Sequence, residues 1–115
     1  MDQPICKLTL VYPPDIGDSV VELMMDQNPP IAGFTTFSAQ GHGFGFANAT
    51  SSEKVRGRVE RNVLVAVVKR DTADTLLEQI RTRLPVAHIA YWIEPVIACG
   101  RLVQRPFEVV GGQAS

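Results

Sequence analysis

The sequence predicts an α+β domain in which one antiparallel sheet of four strands carries two helices on a single face. Two observations lead there. The first is the run Val63-Leu64-Val65-Ala66-Val67-Val68, which contains no polar residue. A strand turns successive side chains to opposite faces, so a strand with one wet face alternates apolar with polar. This run does not, and both faces of its sheet need cover. The second is that only two segments show a helical period, and two helices cover one face. Another copy of the chain is the expected cover for the other.

Composition bounds the function. At 115 residues the chain is one domain with room for a core. Hydrophobic residues make up 45% and charged residues 20%, ordinary for a globular protein. A net charge of −1 excludes a global field that would attract nucleic acid or an anionic membrane. No apolar run approaches the roughly 20 residues that span a bilayer, so no membrane insertion is expected. Met1-Asp2-Gln3-Pro4 lacks the basic region and apolar core of a secretory signal. Cys6 and Cys99 are too few for a disulfide scaffold, so a cytoplasmic protein with reduced thiols is expected.

The elements follow in order. From Ile5 to Tyr12, the residues Cys6, Leu8, Leu10 and Tyr12 form one apolar row with Lys7 and Thr9 in the other, which predicts a strand. Pro13-Pro14 stops it, because proline cannot donate to a ladder. Ile16, Val20, Leu23 and Met24 then recur at helical spacing behind Asp15 and Asp18, whose charge suits a helix start. Asn28-Pro29-Pro30 ends that helix. Phe- and Thr-rich Gly33 to Ala39 predicts the second strand. Gln40 to Gly57 has four glycines and no apolar period, and loops of this length are usually functional or disordered. The third strand runs from Val59 to Lys69. Asp71 or Thr72 is the expected cap of a second helix carrying Ala73, Leu76, Leu77, Ile80 and Leu84. A fourth strand is expected from His88 to Cys99, apolar on both faces, with Pro95 marking an edge or bulge. The domain ends near residue 105, and the tail 106–115 is expected to be mobile.

This order, βαββαβ, is the ferredoxin-like arrangement, with the first and third strands central. The open face would carry half of Val63–Val68 and half of the fourth strand. Such a patch is unusual on a monomer, and the long apolar fourth strand is an exposed edge. Closed self-association answers both. The alternative is a monomer with the tail folded across the sheet.

The element order, the long glycine-containing loop and the passage Val67-Val68-Lys69-Arg70-Asp71-Thr72-Ala73-Asp74-Thr75-Leu76 resemble the PII-like superfamily of small trimeric signal proteins. The divalent-cation tolerance proteins share that trimeric fold. The resemblance runs from about Lys7 to Arg101. It implies a PII-like homotrimer that is not an enzyme and binds a small-molecule effector, usually an adenine nucleotide, in the cleft between subunits. It also implies that the loop docks on a protein partner such as a membrane transporter. Carried over by position, Gly41 resembles a glycine at the loop base whose backbone approaches the nucleotide. Arg61 resembles a basic residue that reaches phosphate, and Arg101 lies near the place of paired arginines at the chain end. The sequence departs from the pattern at Leu84-Pro85-Val86-Ala87, which has neither the glycine nor the lysine of the family's phosphate-cradling loop.

Among local motifs, Gln40-Gly41-His42-Gly43-Phe44-Gly45-Phe46 is the most suggestive. Closely spaced glycines permit close backbone approach to a ligand. No lysine and serine or threonine ending follows, so it is not a P-loop. The two readings are a ligand-responsive loop, with Gly41, His42 and Gly43 at its base and Phe44 and Phe46 as docking side chains, and a plain hairpin connection. Lys54, Arg56, Arg58 and Arg61 form a basic run that would either meet phosphate or an acidic partner, or be a solvated face diluted by Glu53 and Glu60. A divalent metal held by His42, Cys6 and Cys99 is the alternative to a nucleotide, although no zinc-ligand spacing is present. No nucleophile elbow, HExxH or paired carboxylates favour catalysis.

Overall fold

The computed structural model describes residues 4–43 and 58–103. Four strands and two α-helices follow one another as β1 (Ile5–Tyr12), α1 (Gly17–Met25), β2 (Thr35–Gly41), β3 (Val59–Lys69), α2 (Arg70–Arg83) and β4 (Ala90–Pro95). The strands form one sheet in the order β2-β3-β1-β4, and all three pairings are antiparallel. The expected α+β, ferredoxin-like fold is present, with β1 and β3 central and β2 and β4 at the edges.

Register sorts the two faces. Cys6 pairs with Val68, Leu8 with Ala66 and Leu10 with Leu64. All six are buried and belong to the core cluster that Val20, Leu23, Met24, Ala73, Leu76 and Ile80 complete from the helices. Every second residue of β3 therefore faces α1 and α2. The other set, Val63, Val65 and Val67, lies with Val11 of β1 and Phe37 of β2 on the face that carries no helix. Trp92 of β4, opposite Thr9, joins them there. The doubly apolar run thus serves two layers, of which the helices supply one.

The boundaries of four elements differ from the sequence reading. A 3-10 turn over Pro14–Ile16 precedes α1, so the α-helix begins at Gly17 rather than at Ile16, directly behind Asp15. The second strand extends to Gly41, pairing with Val59, and begins only at Thr35. Neither Asp71 nor Thr72 caps α2. The chain passes straight from the extended Lys69 into the helix, without a side-chain cap, and Asp71 sits in the first turn. The Arg70 amide instead donates to the Pro4 carbonyl at 3.2 Å, which satisfies one of the free N–H groups of the helix start. The fourth strand stops at Pro95, whose ring nitrogen carries no hydrogen. The Val96 amide adds a last bond to the Ile5 carbonyl at 3.3 Å.

Gln27 ties the helices together at their outer surface. Its side-chain amide donates to the Leu23 carbonyl at 3.0 Å and to Gln79 Oε1 at 2.6 Å. No helix among the described residues is long and apolar enough to cross a membrane.

Candidate functional site

The base of the long loop is the best-defined element of the site read from the sequence. Gly41 ends β2 buried against Val59, and the β2–β3 ladder closes there. Gly43 follows with φ at +101°, a backbone conformation suited to glycine alone. His42 between them is exposed and lines an open polar cavity of about 480 Å³ with Ser38, Ala39, Gln40 and Glu60. Arg61 pairs with Ala39 one step further along the ladder. It is only 8% exposed, and its Nη1 donates to the Glu60 carbonyl at 2.7 Å. A guanidinium is rarely buried this far without partners, so Arg61 is a charge held in place at the loop base. Phe44, Phe46 and residues 44–57 of the loop as a whole lie outside the described residues, as does the tail 106–115.

The remaining candidates stand elsewhere. Arg101 is exposed and follows β4, whose last residue, Pro95, pairs with Cys6. Gly41 pairs with Val59, whereas Cys6 pairs with Val68. Val59 and Val68 lie at opposite ends of β3, roughly 30 Å apart at about 3.3 Å per residue. Within one chain, Arg101 therefore leaves the sheet at the end opposite Gly41 and His42. The metal trio is separated in the same way. Cys6 is buried in the helix-side core, Cys99 is an exposed free thiol beyond β4, and His42 is at the far end. Among the described residues no cluster of three or more His, Cys, Asp or Glu side chains could hold a metal ion. Burial pushes the Cys6 thiol above its ordinary pKa, with Arg70 opposing the shift and Asp74 adding to it.

The helix-free face has the layout of an interface. Its centre is built from Val11, Val63, Val65 and Val67 around the buried Thr9 and is flanked by Phe37 and Trp92, which are about half exposed. Its rim is polar. Lys7 faces Glu94 at 3.8 Å, and Trp92 Nε1 donates to Glu94 Oε1 at 3.1 Å. Beyond β4, Ile97 and Leu102 are fully exposed and Val103 largely so. Where the family resemblance led to a phosphate-cradling loop, Val86 and Ile89 instead line a cavity of about 190 Å³ with Leu10, Leu77, Ile80, Arg81 and Tyr91.

Sequence reasoning missed a polar row on the helix side. Tyr12, Asn62 and Ser38 are ladder partners across β1, β3 and β2. Asn62 was the available signal, as the polar residue that precedes Leu64, Ala66 and Val68 on the core face of β3.

A four-stranded antiparallel sheet in the order β2-β3-β1-β4 with two helices on one face defines a ferredoxin-like fold. Residues 2–103 match the family described as "Protein of unknown function (DUF3240)", and the chain belongs to it. A DUF3240 family protein from Shewanella baltica OS155 is 20% identical with a TM-score of 0.63, covering 90% of this chain and 100% of that one. A "PII-like signaling protein" from Thermus thermophilus is 19% identical with a TM-score of 0.58, covering 84% and 91%. A functionally unknown protein from Pediococcus pentosaceus ATCC 25745 is 12% identical with a TM-score of 0.63, covering 88% and 100%. At these identities the likeness is one of fold. No curated protein matches the chain.

Proposed function

We propose that the protein is a cytoplasmic homotrimeric signalling protein that binds a small anionic effector, of the adenine-nucleotide class, between subunits. Binding changes how the loop between Gly41 and Val59 docks on a protein partner, a membrane transporter being the kind of partner the resemblance implies. The role is one of binding rather than catalysis.

The observation that carries this reading is the placement of the basic groups. Arg61 is held at the loop base beside Gly41, while Arg101 leaves the sheet at the other end. The two belong to opposite ends of one sheet, so a shared ligand would draw them from neighbouring chains. The helix-free face supports the same assembly. Burying the exposed halves of Phe37 and Trp92 would contribute about 1 kcal/mol each, and a largely apolar centre within a polar rim is the anatomy of protein interfaces.

Isothermal titration with ATP, ADP and AMP tests the effector. Heat with at least one nucleotide is expected, together with affinity weakened about tenfold in Arg61→Gln, the loss of one charge-assisted contact. No heat with any of the three removes the nucleotide reading. Sedimentation equilibrium tests the assembly, with the mass of three chains expected.

A further inference from the structure

The missed polar row lies under the first turn of α1. Tyr12, Asn62 and Ser38 stand side by side on the helix face, and together with Thr36, Gly17 and Asp18 they line a cavity of about 320 Å³. The next row along the sheet, Leu10-Leu64-Thr36, turns apolar, so the cavity sits where the core ends. Tyr12 is 1% exposed, yet its hydroxyl forms no hydrogen bond among the described residues. The ring is buried but the hydroxyl keeps a little accessible surface, so it opens on the cavity, where an entering group can satisfy it. The Asn62 side chain is likewise without a hydrogen bond among the described residues, and Asp18 makes no ion pair there.

The chemistry of the lining selects the occupant. Its only charged group is the Asp18 carboxylate, and no Lys, Arg or His lines the cavity. The Tyr12, Thr36 and Ser38 hydroxyls and the Asn62 carbonyl add acceptor oxygens. The single side-chain charge is negative, which disfavours an anion. Pro14 and Val21 supply apolar wall for a short carbon stem. From this geometry we propose that the cleft between α1 and the Tyr12-Asn62-Ser38 row is a binding site for a small primary ammonium compound, its cationic head toward Asp18 and the hydroxyls. The cleft lies on the helix side of the sheet. It is separate from the effector cleft proposed above and does not depend on it.

Amide NMR shifts test the site, with ethanolamine as probe, glycerol as its neutral counterpart and acetate as the anion. Ethanolamine should move the Asp18, Ser38 and Asn62 resonances in a saturable way, and the other two should not. Asp18→Asn changes an exposed side chain and should weaken the apparent affinity about tenfold, the loss of a charge-assisted hydrogen bond. Tyr12→Phe removes only the unpartnered hydroxyl and should weaken it too, leaving the remaining spectrum intact. The absence of saturable shifts with ethanolamine at high millimolar concentration would overturn the proposal. So would equal shifts with glycerol or acetate, or an Asp18→Asn affinity equal to that of the native chain.

Discussion

Gly17 and Asn62 meet so closely that a Cβ on residue 17 would stand 2.9 Å from Asn62 Nδ2. The helix α1 begins directly over β3 at this point, and only a residue without a side chain lets both the helix and the amide keep their positions. The atom in the way is the tip of a side chain, so it can move. Gly17→Ala should therefore displace the Asn62 amide rather than unfold the chain. The gain of about 1 kcal/mol in helix propensity offsets the rearrangement. Urea unfolding should place the variant within about 1 kcal/mol of the native protein. The Asn62 side-chain amide resonances should shift, and ethanolamine should lose its effect on them.

Leu8 lies at the centre of β1, fully buried between Ala66 and Ile93 in register. Leu8→Ala removes apolar contacts and leaves a cavity, and should cost about 2–5 kcal/mol in urea unfolding. A loss below about 1 kcal/mol would mean that the helix-side core is not where the stability resides.

Charge on the helix-free face should act on assembly instead. Phe37 and Trp92 are about half exposed on that face and contribute little to the core. Phe37→Lys or Trp92→Lys should leave the far-ultraviolet dichroism unchanged and shift the sedimenting mass from three chains toward one. An unshifted mass would place the subunit contacts elsewhere.

Alkali should destabilise the fold through two buried acids. Burial holds both the Cys6 thiol and the Tyr12 phenol above their ordinary pKa values of 9.0 and 10.0. Both groups are neutral in the folded chain and ionise more readily in the unfolded one. Their contribution is complete below those ordinary values and is lost as pH rises through the raised, folded ones. The urea midpoint should be level up to about pH 8, fall above about pH 9, and fall more steeply above about pH 10. Cys6→Ala should remove the first decline and Tyr12→Phe the second. A midpoint that rises above pH 9 would reverse the sign and refute the account.

Much of the fold was legible in the chain. The alternation of Cys6, Leu8, Leu10 and Tyr12 placed β1 to the residue, and the unbroken Val63–Val68 run placed β3 with both faces apolar. Periodicity also found both helices, because their buried residues recur at the helical spacing. The ends were less legible. The start of α2 was missed because the Pro4 carbonyl, distant in sequence, receives the Arg70 amide. The end of β4 was overrun because the apolar residues after Pro95 continue the strand pattern while the ladder does not.

Of the candidate site, the sequence marked the loop base, and Gly41, Gly43 and Arg61 lie in or beside the closing pairs of the β2–β3 ladder. What the linear order could not hold is which distant residues become neighbours. The row of Tyr12, Asn62 and Ser38 exists only because two ladder registers align three strands, and the separation of Arg101 and Cys6 from His42 follows from the same registers. Side-chain pattern is a local property of the backbone period and is written along the chain. Register and the placing of α1 over β3 are set by long-range packing, which only the folded chain decides.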